Sequence, residues 1–160
     1  MTEEVMNLAV TYIGKDVRQI NHLLKVFSFA HLIGKMEKCN IQEQTIIDIA
    51  ALLHDIGINE AERKHNSSDY NFQEQEGPVV AREMLKGLNL DTEILERVLF
   101  LIGNHHTYKA IDGIDFQIMV EADFLVNIFE HAMDIKAIAG IKEELFKTKT
   151  GKRLLEQLYM

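Results

Sequence analysis

The run Ala50-Ala51-Leu52-Leu53-His54-Asp55-Ile56-Gly57 constrains this chain most, because an apolar helical stretch carries an imidazole and a carboxylate side by side into its last turn and then stops. Placing ionisable groups at the end of an apolar helix costs desolvation energy unless something binds them. A divalent cation is the simplest partner. From about Gln42 to Asp55 the segment is rich in Ile, Ala and Leu on nearly every side, which marks it as a central helix, and Gly57 is placed to end it.

Helical spacing dominates the flanking sequence. Ile20, Leu23, Leu24, Phe27, Ala30 and Ile33 form the buried face of a long helix over Arg18 to Lys38. The polar stretch from Asn59 to Gln75 predicts a long loop, followed by a short helix over Val79 to Leu88 with Pro78 near its first turn. Asp91 is the N-cap of the next helix, on which Ile94, Val98 and Leu101 lead to His105 and Leu95, Leu99 and Ile102 lead to His106. Phe116 to His131 forms a further helix, and Ile135 to Met160 supplies one or two covering helices interrupted near Thr150-Gly151. One proline, nine glycines and no useful alternating run leave no basis for a β-sandwich. The expectation is an all-α, compact helical bundle with a central metal site, one domain over residues 1–160 with its core at 19–129 and covering helices at 134–160.

A chain of 160 residues that is 47% hydrophobic is long enough for one well-buried core. The net charge of −8 argues against binding nucleic acid backbones, which takes a basic surface. Cys39 is the only cysteine, so no internal disulfide forms, and the start Met1-Thr2-Glu3-Glu4 lacks a basic leader. No apolar run approaches membrane-spanning length. These features predict a cytoplasmic protein without a membrane partner, and the apolar surplus of the tail suggests a homodimer.

His22, His54, Asp55 and Asp123 all fall on apolar helical faces, far apart in sequence. Mixed imidazole and carboxylate donors suit Mn, Fe, Zn, Ni or Co better than calcium, with Mg a further candidate. A lone buried histidine is more often a hydrogen-bonded core residue, but four such groups would need four separate explanations. In order and context they resemble the HD superfamily of metal-dependent phosphohydrolases. The resemblance runs from about Gln19 to Phe129: His22-Leu23-Leu24-Lys25-Val26 followed by Ala30 is similar to the family's first histidine helix, Leu-Leu-His-Asp-Ile-Gly to its centre, and Glu121-Ala122-Asp123 to its closing helix. It implies that His22, His54, Asp55 and Asp123 hold one metal.

Family members with two metals carry further histidines between the central pair and the last Asp. The earlier such position falls in Gln73-Glu74-Gln75-Glu76-Gly77-Pro78, which has no histidine, whereas Ile102-Gly103-Asn104-His105-His106 matches the later one, His105 being preferred over His106. One bound ion is therefore favoured over two, with Glu74 or Glu76 as alternative oxygen donors. The family's lysine after Ile-Gly is replaced by Ile58-Asn59, so Arg18, Lys25, Lys64 and Lys109 become the candidates for phosphate, against the ordinary reading of each as a solvated charge. His31, His65 and His131 read as surface or packing residues.

The resemblance implies hydrolysis of a small phosphoester such as a nucleotide, with Asp55 orienting the attacking water and His105 binding or protonating the leaving group. A non-catalytic metal- or nucleotide-binding sensor is the alternative, and a diiron oxygenase a more distant one. The chain has no phosphate-binding glycine loop, no Gly-x-Ser-x-Gly elbow and no cysteine pair for structural zinc.

Overall fold

The computed structural model describes all 160 residues as nine α-helices and one short 3₁₀ turn, with no strands. In chain order the helices are α1 (Thr2–Ile13), α2 (Val17–Met36), α3 (Ile41–Leu53), α4 (Ile58–His65), α5 (Tyr70–Leu85), α6 (Thr92–Ile102), α7 (Ile114–Glu130), α8 (Ile135–Leu145) and α9 (Lys149–Tyr159). None is long and apolar enough to cross a membrane.

α3 is the axis of the bundle. Ile46 to Leu53 are buried without interruption, and the helix separates two apolar clusters. On one side Ile46, Ile49, Ala50, Leu52 and Leu53 pack with Val5 and Ala9 of α1, Leu85 of α5, Leu101 and Ile102 of α6, and Phe116 of α7. On the other, Ile47 and Ala51 pack with Val26, Ala30 and Ile33 of α2, Ala122 and Leu125 of α7, and Phe146, Leu154 and Leu155 of the tail. A reciprocal capping box starts the helix: Glu43 N donates to the Asn40 side chain and Asn40 N donates to the Glu43 carboxylate.

Four expectations need correction. The stretch from Asn59 to Gln75 is not a long loop; it forms α4, a linker at residues 66–69 and the first turns of α5. Its polarity hides a helix whose one buried point is Ala61 and whose exposed face carries Glu60–Arg63 and Glu60–Lys64 pairs at helical spacing. Pro78 lies well inside α5 rather than near its start, where it deprives the Glu74 carbonyl of its helical donor. Gly57 does not end α3, which finishes at Leu53; it precedes α4 after a turn. The tail breaks at Phe146 to Thr148, with Thr150 and Gly151 in the first turn of α9. α1, whose buried residues are Val5, Ala9 and Ile13, is an addition to the expected elements.

Gly57 matters for another reason. A methyl group there would collide with the Gln73 carbonyl and the Gly77 backbone nitrogen. The bare backbone lets α5 cross directly over the turn that follows Asp55 and brings Gln73 beside it.

Candidate metal centre

Three helices supply the donors because α2 and α7 both lie along α3. His54 follows the last turn of α3 and is 1% exposed. His22 comes from the face of α2 that also buries Gln19, Leu23 and Val26, and Asp123 from the buried face of α7. His22 Nε2 lies 3.2 Å from His54 Nε2, 3.2 Å from Asp123 Oδ1 and 3.4 Å from Asp55 Oδ2. His54 Nε2 lies 3.4 Å from Asp55 Oδ2 and 3.6 Å from Asp123 Oδ1. Ligands about 2.0–2.2 Å from one ion lie about 3 to 3.6 Å from their neighbours, which is the spacing of these five contacts; His22, His54 and Asp123 form one donor group, and Asp55 Oδ2 adjoins it through the two imidazoles.

The hydrogen bonds behind the rings fix what faces inward. His22 Nδ1 donates to Glu130 Oε2 at 2.8 Å, His54 Nδ1 to the Ala51 carbonyl at 2.9 Å, and His105 Nδ1 to the Ile102 carbonyl at 2.7 Å. With each Nδ1 carrying its proton, the neutral rings point Nε2 lone pairs at one another and at two carboxylates. Lone pairs at these separations repel unless a cation or protons lie among them. Orientation of a ligand ring through its far nitrogen is the usual support of a metal site, so the donor set fits a divalent transition metal.

Protonation in the metal-free protein follows the same logic. Burial opposes charge on both rings, yet the Asp123 and Asp55 carboxylates outweigh it and hold His22 above, and His54 well above, the ordinary 6.5. Burial likewise opposes charge on the carboxylates, and the imidazoles override it, drawing Asp55 and Asp123 below the usual carboxylate range.

A second group adjoins the first. His105 Nε2 is buried without a hydrogen-bond partner, 3.3 Å from Asp55 Oδ1. His106 joins Asp55 and His105 in a set of donors close enough to hold a metal ion. Its ring stacks on Tyr70 at 3.7 Å, and burial together with the neighbouring His105 pushes it down to about 4. Asp55 thus presents one oxygen to each group.

A family model for the HD domain matches residues 20–149. The chain belongs to the HD domain family. Among solved structures it is similar to a protein described as a predicted HD superfamily hydrolase from an uncultured Thermotogales bacterium, with 26% identity, a TM-score of 0.71, and coverage of 98% of this chain and 84% of that one. No curated protein matches.

Around this HD pair the other candidate residues fall into two sets. Arg18 lines an open cavity of about 450 Å³ at the metal centre, together with Gln19, Tyr70, Gln73, His106, Tyr108 and Asn127. Glu74 faces the other way, accepting from the His106 backbone N–H at 2.8 Å and from Thr107 Oγ1, and so anchors the turn that carries both late histidines. Glu76 is bound by Lys64 at 2.8 Å and His65 at 2.9 Å. Lys25 pairs with Glu130 at 2.6 Å, and Lys109 is exposed. Neither Glu74 nor Glu76 joins the donor groups, and Lys64 does not line the cavity. His131 lines the cavity rather than packing in the core.

The sequence reading passed over Glu130, Asn127 and Gln19. A signal existed. Asp123, Asn127 and Glu130 share one face of α7 at i, i+4 and i+7, and Gln19 precedes His22 by one turn of α2.

Proposed function

We propose that this protein is a metal-dependent phosphohydrolase acting on a small phosphoester, with an ion held by His22, His54, Asp55 and Asp123. The observation that carries the reading is the convergence of two Nε2 lone pairs and two carboxylate oxygens at the edge of an open cavity. Membership of the HD domain family and likeness to a protein described as a hydrolase support it. When bound, a divalent ion polarises a phosphoryl oxygen and lowers the pKa of a coordinated water.

The residues divide the remaining work. Asp55 spans the two donor groups, so one oxygen is available to the ion while the other accepts a hydrogen bond from the attacking water. His105, held through Nδ1, takes up or releases a proton only at Nε2, beside Asp55 Oδ1. Protonated there, it is the donor for the departing alkoxide. Arg18 at the cavity wall offers a fork of N–H donors to the phosphate.

One observation favours a second ion: Asp55, His105 and His106 form their own donor group, and His106 is neutral at pH 7 with both ring nitrogens lacking a partner. The test is turnover. Metal-replete protein is screened against nucleotides, cyclic nucleotides and sugar phosphates with Mn, Co, Ni, Zn, Fe and Mg. Release of phosphate that disappears in Asp55→Ala supports the reading; metal binding with no hydrolysis of any phosphoester replaces it with the sensor.

A further inference from the structure

We propose that the cavity beside the metal centre is a subsite for the hydroxyl-bearing part of a sugar phosphate, read by the side-chain oxygens of Gln19 and Gln73. The inference rests on the phosphohydrolase reading and narrows its substrate. Gln19 is 8% and Gln73 6% exposed, and both line the cavity. Gln19 Nε2 donates to the Asp55 carbonyl at 3.1 Å, and Gln73 Nε2 donates to the Ser68 carbonyl. A carbonyl only accepts, so these bonds fix which end of each amide is nitrogen. Both Oε1 atoms are then left buried without a partner.

A buried acceptor without a donor costs about 1–3 kcal/mol, and the cavity that both glutamines line is where a donor would reach them. Asn127, half-buried in the same lining, spends Nδ2 on Asp123 Oδ1 at 2.9 Å. The Asp16 carboxylate adds a further acceptor to the lining.

Position separates hydroxyls from the N–H edge of a base. Gln19 is bonded to the backbone of Asp55 itself, and Gln73 crosses the turn at Gly57. Both glutamines therefore line the same cavity as Asp55 and Asp123. In a sugar phosphate the groups within a few bonds of phosphorus are hydroxylated ring carbons, whereas a base lies farther out. A free sugar phosphate and the ribose of a ribonucleotide share this chemistry.

The experiment compares substrates with the same leaving alkoxide. In one arm ribose 5-phosphate is set against tetrahydrofurfuryl phosphate, and in the other AMP against 2′,3′-dideoxy-AMP. The expected kcat/KM ratio is about tenfold or more in favour of the hydroxylated member, because a site built to bond a hydroxyl rejects the analogue lacking it. The arm with the higher kcat/KM identifies the source. Gln19→Leu and Gln73→Leu are each expected to bring the ratio down severalfold. Ratios within about twofold in both wild-type arms overturn the subsite, as does a ratio unmoved in both folded variants. Should no phosphoester turn over, the phosphohydrolase reading fails on its own, and the subsite is tested by melting shifts. A larger shift with ribose 5-phosphate than with tetrahydrofurfuryl phosphate supports it, and equal shifts overturn it.

Discussion

Glu121 and Asp123 lie two residues apart on α7, both buried, and opposite chemistry surrounds them. Glu121 is 0% exposed and surrounded by donors: its carboxylate accepts from Gln117 Nε2, the backbone N–H groups of Lys147 and Thr148, and Thr148 Oγ1. Gly151 packs against it with no room for a side chain, so the start of α9 closes over the carboxylate. Asp123 receives one amide, from Asn127, and otherwise faces imidazole nitrogens at 3.2 and 3.6 Å. A buried carboxylate saturated by fixed donors ties helices together; one facing lone pairs is built for a cation.

Exchanging the two roles by mutation tests that contrast most strongly. Asp123→Asn is expected to lower metal affinity and turnover by more than about a hundredfold, since even outer-shell partners are worth ten- to a hundredfold, while the fold survives. Glu121→Ala is expected to do the reverse. It orphans several buried donors and lowers stability by about 3 kcal/mol or more, with metal binding retained by whatever protein remains folded. Denaturant unfolding and metal titration on both variants read the crossing; parallel losses in both would erase the distinction.

His105→Ala sharpens the boundary between the two donor groups. Turnover is expected to fall about 10²- to 10⁴-fold, the worth of a positioned acid or base, with the metal bound by His22, His54, Asp55 and Asp123 retained. Elemental analysis showing half the metal gone instead assigns two ions.

Smaller effects come from behind the ligands. Glu130→Gln keeps an acceptor for His22 Nδ1 but removes its charge, so metal affinity falls about tenfold. Lys25→Met leaves Glu130 unneutralised, makes His22 the more basic ligand and shifts affinity upward. A loss of packing alone would move both variants the same way.

The smallest effect is one of pH. His22 and His54 are raised in the metal-free protein, so the stability they contribute is fully present below about 6.5 and is lost as pH rises through their folded values. Asp55 and Asp123 are lowered, so their contribution is present above about 3.8 and is lost as pH falls through their folded values. Melting of chelator-treated protein is therefore expected to be highest between these limits and to decline toward alkaline pH. Metal binding releases protons, and affinity rises with pH.

Much of the architecture was legible in periodicity. α2, α3, α6 and α7 lay within a few residues of their expected limits because their apolar faces are broad and bury deeply. α4 and the start of α5 were not legible as helix, since Ala61, Gln73, Glu76 and Gly77 bury small or polar groups that carry no hydrophobic signal. At the site, imidazoles and carboxylates on apolar faces singled out His22, His54, Asp55 and Asp123, whose side chains the fold brings close to the His54 ring. Glu130 and Gln19 stayed hidden because a polar residue at the end of a helix ordinarily faces water, and only the packing of α2 against α7 and the Asp55 turn gives them partners.

The most direct measurement is anomalous diffraction from crystals loaded with Mn or Zn. A peak is expected about 2.0–2.2 Å from His22 Nε2, His54 Nε2, one Asp55 oxygen and Asp123 Oδ1, the proposed ligand set. Well-ordered crystals of metal-replete protein with no peak among those four atoms would contradict it.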